Sequence, residues 1–194
     1  GTAGDEAEHM GGVELQDAGI GGHTTRDGLK RFDRDVLAHQ PRVVVISFGI
    51  NDAAVDVWKN PPVTGPRVPL DEYRGNLKEI VTKTRAAGAK AIFMTPNPIR
   101  WNSKLRDLYG KPPYDPDDEL GFDQPVLDSY RQAMRNVAAE LSVPVLEVPR
   151  VWEAGLAEKG GKVDDFLLDG LHPNDAGHAA TAAALLPVVR DVLR

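Results

Sequence analysis

The stretch LLDGLHPNDAGH, beginning at Leu167, places Asp169 three residues before His172 and Pro173 straight after it. An aspartate that holds one imidazole nitrogen leaves the other free to act as a base near neutral pH. The same residues also make ordinary structure. Asp-Gly forms a turn, and Pro173 with Asn174 or Asp175 opens a helix, leaving His172 a passenger. A metal reading would group Asp169 and His172 with His178, but His178 falls inside the expected helix and no fourth ligand suggests itself. His9, His23 and His39 read as surface or packing residues.

Two other stretches carry potential chemistry. DAGIGGHTT, from Asp17, sets Gly19, Gly21 and Gly22 between an expected strand and an expected helix. It lacks the Lys-Ser/Thr of a phosphate-binding loop, and Thr24 takes the place of the third glycine of the dinucleotide fingerprint. A glycine at the end of such a loop can offer its bare N–H to a developing oxyanion, or simply make a tight turn. FGIND, from Phe48, puts Asn51 directly after an apolar run. An asparagine amide donates to an oxyanion without a charge to desolvate, and loss of one such donor costs about 2.7–4 kcal/mol of barrier in a known case. An Asn-Asp turn is the plainer reading.

The elements that must position these groups alternate. VVVISF from Val43 is a continuous β-branched run, the mark of a strand buried on both faces. AKAIFMT from Ala89 and VPVLEV from Val143 read the same way, and VELQDA from Val13 is a shorter strand candidate. Helices are expected over Thr24–His39, Asp71–Ala87 and Val126–Leu141. A last one starts near Asp175, with Leu186-Pro187 a potential kink. This alternation predicts a parallel sheet covered by helices on both sides, whose crevice lies outside the carboxyl ends of the strands. GIGGHTT, GIND, PNPIRW and DGLHPND all follow strands. Two long stretches, from Val57 and from Asn97, read as walls of that crevice or as surface decoration. Trp58, Trp101, Tyr109 and Tyr114 would line a pocket or anchor these loops.

Bulk properties narrow the class. The 194 residues suit one domain, residues 1–194, and 41% hydrophobic content supplies a core. A net charge of −6 argues against a nucleic-acid partner. The absence of cysteine removes disulfides, thiol catalysis and zinc–thiolate sites. No apolar run approaches the roughly 18 residues of a membrane span, and neither a signal peptide nor an internal repeat is visible.

DAGIGGHTT, GIND and DGLH, in this order and spacing, resemble the three later blocks of the SGNH hydrolases, the GDSL esterase/lipase superfamily. The resemblance spans Val13 to Arg194. It implies a flavodoxin-like three-layer α/β/α sandwich and hydrolysis of small acyl esters or acylated sugars through an acyl-enzyme, with no metal or organic cofactor. It makes His172 the general base and then acid, and Asp169 its orienting partner. Gly22 supplies a backbone N–H and Asn51 a side-chain amide, both to the oxyanion. Asp17 stands where the family has Asn, which alters loop bracing rather than chemistry.

The family's Gly-Asp-Ser block, which ends the first strand, has no counterpart here. The serines are Ser47, Ser103, Ser129 and Ser142, and none sits at a strand-to-helix elbow ahead of Gly22. GTAGDEAEHMGG reads either as the segment just after such a block or as placing Ala3 at the nucleophile position. A sheet without that strand would expose an edge, so the chain is expected to be an N-terminally truncated or processed part of a longer one, or to have the strand supplied by a separate fragment. Two readings stand beside the esterase: a non-catalytic ligand-binding relative of the same fold, and a flavodoxin-like nucleotide binder using the glycine loop.

Overall fold

The β-branched run Val43–Ile46 forms β1, and Lys90–Met94 and Val145–Leu146 form β2 and β3. The structure, a computed structural model, describes residues 14–194. The three strands make a parallel sheet in the order β1-β2-β3, with Val45 opposite Ile92 and Phe93 opposite Val145. Helices α1 (Thr25–Asp35), α2 (Ile50–Ala53), α3 (Leu70–Ala86), α4 (Ser103–Tyr109), α5 (Val126–Leu141), α6 (Val148–Ala157) and α7 (Asp175–Leu193) surround the strands in chain order.

The core falls into two clusters. The larger one joins Phe32, Tyr73, Leu77, Ile80 and Met134 of α1, α3 and α5 to Val44, Ile46 and Phe93 of the sheet. The smaller one packs Leu146, Trp152, Leu156 and Phe166 against Ala180, Ala184 and Val188 of α7. The fold is therefore the expected α/β sandwich. Helix α5 takes the bounds expected from its apolar stripe, α1 gives way at Val36 to a short 3₁₀ turn over Leu37–His39, and α7 runs unbroken through Pro187.

Two expectations are corrected. Glu14 to Ala18, the described part of the first strand candidate, forms no strand, and Val13 lies outside the described residues. β1 is not buried on both faces. Val45 is 37% exposed and Ser47 is exposed, while Val44 and Ile46 are buried. The second edge of β1 has no partner among the described residues. A β-branched run signals strand, but it does not show which neighbour covers each face.

The long segment after β2 is ordered by a buried ion pair. Arg131 of α5 is 3% exposed and sends Nη2 to Asp123 Oδ2 at 2.8 Å. Its Nε donates to the Pro96 carbonyl at 3.0 Å, and Nη2 also reaches the Asn97 carbonyl at 2.9 Å. Asp123 in turn accepts the Ile99 N–H at 2.9 Å. A guanidinium with donors in a rigid fork suits this task, because one side chain satisfies several carbonyls at once. The aromatic residues of the segment then pack together. Trp101 stacks on Phe122 at 4.6 Å, and Tyr114 meets Trp101 edge-on at 6.4 Å.

Replacing Arg131 by Met strands the Asp123 carboxylate, and is expected to cost about 3–5 kcal/mol in urea denaturation. Pairing it with Asp123→Leu should restore most of that stability. The segment after β2 should still lose its fixed course, seen as faster limited proteolysis there.

Candidate active site

At the end of β1 the chain must turn sharply to start α2. Gly49 does this at φ +139, and a Cβ there would lie 2.6 Å from Pro96 Cγ. Glycine is therefore required on both counts. The turn launches Asn51 from a rigid strand end, half-buried. Its Oδ1 accepts a hydrogen bond from Arg67 Nη1 at 3.1 Å. Its Nδ2 makes no hydrogen bond among the described residues.

The next residue, Asp52, was not anticipated, and it joins two of the blocks. Its Oδ1 accepts both the N–H and the hydroxyl of Thr25, at 2.9 and 2.5 Å. Thr25 opens α1 three residues after Gly22, so this carboxylate ties the glycine loop to the Asn51 turn. Asn76 Nδ2 secures the same hydroxyl at 2.9 Å. Gly22 itself is exposed, has φ +80, and gives its N–H to no acceptor among the described residues. Asp17 braces the loop by accepting the Gly19 N–H at 2.7 Å, and Arg31 Nη1 holds the Ala18 carbonyl at 2.6 Å.

These contacts speak against a phosphate on the glycine loop. The Thr24 N–H is taken by Asp27 and the Thr25 N–H by Asp52. Two of the amides at the start of α1 are already bonded to carboxylates, and those carboxylates would repel a phosphate.

The third block forms both of its expected structures. Asp169 Oδ1 accepts the N–H groups of Leu171 and His172 at 3.0 and 2.8 Å, while Gly170 turns at φ +83. Asn174 Oδ1 accepts the Gly177 N–H at 3.0 Å and so caps α7. Within that turn, Asp169 Oδ2 lies 2.8 Å from His172 Nδ1. Burial works to raise the Asp169 carboxyl. The backbone and ring N–H groups of His172, with that of Leu171, outweigh it and hold the group below the ordinary carboxylate range. Ionised Asp169 thus fixes the tautomer with Nε2 free, and Nε2 has no partner among the described residues. The ring is 68% exposed.

The segment ordered by Arg131 carries this turn. Asn102 Nδ2 donates to the Asp169 carbonyl at 2.7 Å, the Arg100 N–H to the Gly170 carbonyl at 2.8 Å, and Asn97 Nδ2 to the Leu171 carbonyl at 3.1 Å. Leu171 and Asn51 line one pocket, partly open to solvent, together with Arg67, Tyr109, Tyr114 and Phe122. Of the four aromatic residues considered from sequence, Tyr109 and Tyr114 reach this pocket. Trp101 is an anchor, and Trp58 is 46% exposed beneath Lys59.

The remaining candidates scatter. His23 receives Arg31 Nε at 3.2 Å, His39 meets Gln16 at 2.9 Å, and His178 is exposed on α7. His9 and Ala3 lie outside the described residues. Among the described residues no group of three or more His, Asp or Glu could hold a metal ion. Ser129 donates to the Val126 carbonyl, Ser142 ends α5, and neither they nor Ser47 or Ser103 bond to His172.

A family model described as the GDSL-like Lipase/Acylhydrolase family matches residues 4–180. The chain belongs to this family. It is 32% identical over 160 residues to the uncharacterized lipoprotein YqeF of Bacillus subtilis, covering 81% of this chain and 63% of that protein. It is 29% identical to an acetylxylan esterase of Geobacillus stearothermophilus, covering 90% of this chain and 71% of that protein. It thus spans between three-fifths and three-quarters of the length of these two relatives. Among solved structures, a catalytic mutant of Axe2, an acetylxylan esterase from Geobacillus stearothermophilus, matches with a TM-score of 0.69 at 27% identity, over 91% of this chain and 72% of that one. A lipase/acylhydrolase from Enterococcus faecalis matches with a TM-score of 0.62 at 26% identity, over 88% and 72%.

Asp52→Ala would strand a buried N–H and a buried hydroxyl, and is expected to cost about 2–3 kcal/mol in thermal or urea unfolding. A pH test separates the carboxyl's charge from its bonding. At Asp52, burial outweighs the Thr25 hydrogen bonds and lifts the carboxyl above its ordinary value. Its contribution therefore favours folding in acid and fades as pH rises through the folded value. The stability of Asp52→Asn relative to the native protein should climb as pH rises above the ordinary carboxylate range. A flat difference would show that this carboxyl titrates alike in both states.

Proposed function

We propose that this chain forms the ester-hydrolysing unit of its protein, acting on small acyl esters or acylated sugars through an acyl-enzyme. The observation that carries the reading is a pattern of uncommitted groups. Among the described residues His172 Nε2, Asn51 Nδ2 and the Gly22 N–H make no hydrogen bond, while their neighbours Nδ1, Oδ1 and the Gly19 N–H are all engaged. The base and the side-chain donor are thus held in place by their other atoms, and the loop that carries Gly22 by Asp17 and Arg31, in keeping with electrostatic preorganisation.

In this mechanism the hydroxyl of a serine attacks the ester carbonyl and His172 Nε2 takes its proton; the family's serine lies ahead of the Gly22 loop, and it is none of Ser47, Ser103, Ser129 and Ser142. Asp169 stabilises the imidazolium that forms. The oxyanion is met by the Gly22 N–H and Asn51 Nδ2. His172 then returns the proton to the leaving alcohol, and a water repeats the sequence to free the acid. Relatives support the assignment. Axe2 is an acetylxylan esterase whose catalytic mutants replace a serine, and an aspartate and a histidine three positions apart. Asp169 and His172 have that spacing. The apolar and aromatic pocket beside Asn51 suits a short acyl group.

The test is hydrolysis of p-nitrophenyl acetate by the full protein. His172→Ala is expected to lower kcat by about 10²–10⁴-fold and Asn51→Ala by about 10²–10³-fold. Rates equal to the native one in His172→Ala would remove the dyad from the reaction. Binding of acetylated xylooligosaccharides with neither turnover nor fluorophosphonate labelling would instead favour a non-catalytic, ligand-binding protein.

A further inference from the structure

Arg67 belongs to none of the family-like blocks; it lies in the proline-rich stretch between α2 and α3. Its place in the fold is fixed from both sides. The Arg67 N–H donates to the Ala54 carbonyl at 2.9 Å, and the next N–H, of Val68, donates to the Asp52 carbonyl at 3.0 Å. Tyr130 of α5 secures the Val68 carbonyl at 2.6 Å. The side chain is held as firmly. Nε and Nη2 donate to Asp56 Oδ1 at 3.1 and 2.8 Å, and Asp56 is only 6% exposed. Nη1 is left to reach Asn51 Oδ1 at 3.1 Å.

We propose that Arg67 is a positioning residue that locks the Asn51 amide so that its NH₂ group, and never its oxygen, faces the reacting carbonyl. The inference rests on the role proposed above for Asn51. Its logic is chemical. A guanidinium only donates, so the amide atom facing it must be the oxygen. The amide plane then fixes Nδ2 on the opposite side. Left unpinned, an asparagine side chain is nearly symmetric in shape and can turn over. The flipped amide would present a lone pair to a developing negative charge, which is repulsive. The charged donor also polarises the amide, making Nδ2–H a stronger donor to the oxyanion. Three of the guanidinium's five N–H groups are spent on Asp56 and Asn51; because Arg67 also lines the pocket, an unchanged KM is what separates positioning of Asn51 from direct contact with substrate. Asp56 is the anchor of the device. Burial would raise its carboxyl, but Arg67 and Lys59 outweigh this and hold it ionised below its ordinary range.

The test is a double-mutant cycle in the full protein with p-nitrophenyl acetate. Arg67→Met is expected to lower kcat by about tenfold or more with little change in KM, a smaller loss than deleting the donor itself. Added to Asn51→Ala, it should change kcat by less than about twofold, because the group it positions is already gone. Arg67→Lys keeps a charge beside Asp56 and should show a smaller kcat loss at an unchanged Tm, which guards against a Met variant that fails to fold. Losses that multiply in the double variant, or full kcat in Arg67→Met, would overturn the proposal. An Asn51→Ala protein with native kcat would instead overturn the site assignment beneath it. One readout needs no turnover. NMR relaxation of the Asn51 side-chain amide should report a rigid NH₂ in the native protein and a mobile one in the folded Arg67 variant. Equal rigidity in both would also refute the lock.

Discussion

The buried pair of Arg131 and Asp123 is the constraint on which the candidate site depends. Burying two opposite charges gives little net stability, because the desolvation cost offsets most of the attraction. What the pair supplies is position. It fixes the carbonyls of Pro96 and Asn97 and the N–H of Ile99 at the carboxyl end of β2. From there Asn97, Arg100 and Asn102 hold the three carbonyls of the Asp169–Leu171 turn. The imidazole is therefore placed by α5, through a loop, and not by its own strand.

A second constraint works on the other side of the site. Asp52 is wholly buried, and its second oxygen has no hydrogen-bond partner among the described residues. Keeping such a group costs stability. In return, the Gly22 loop and the Asn51 turn share one anchor, so the two donors cannot drift apart without breaking the Thr25 contacts. The same contacts bring carboxylates to the start of α1, which disfavours a phosphate there.

Much of the fold was legible because its signals are local. The stripe of Leu127, Tyr130, Met134 and Val137 defines α5 as one face of a helix. The Asp169–His172 contact was readable too, since an Asp-Gly turn brings residues three apart into hydrogen-bond range. Exposure was less legible. Val45 and Val44 are the same residue type, yet only one is covered, and that depends on what lies across the sheet. The aromatic residues of the long insert were ambiguous for a like reason. Trp101 packs inward and Tyr109 faces a pocket, and nothing in their spacing separates the two.

The sequence by itself determined the alternation of strands and helices, the three blocks with their order, and the turn that makes His172 a partner of Asp169. Each of these follows from residue type and short spacing. Only the tertiary structure decided that Asp52 bridges the first two blocks, that Arg131 supports the third, and that Arg67 holds Asn51. The hydrogen-bonded partners in these links lie between 16 and 74 residues apart in the chain. Charged residues carry no periodic signature of whom they will meet, so that pairing is settled when the helices pack.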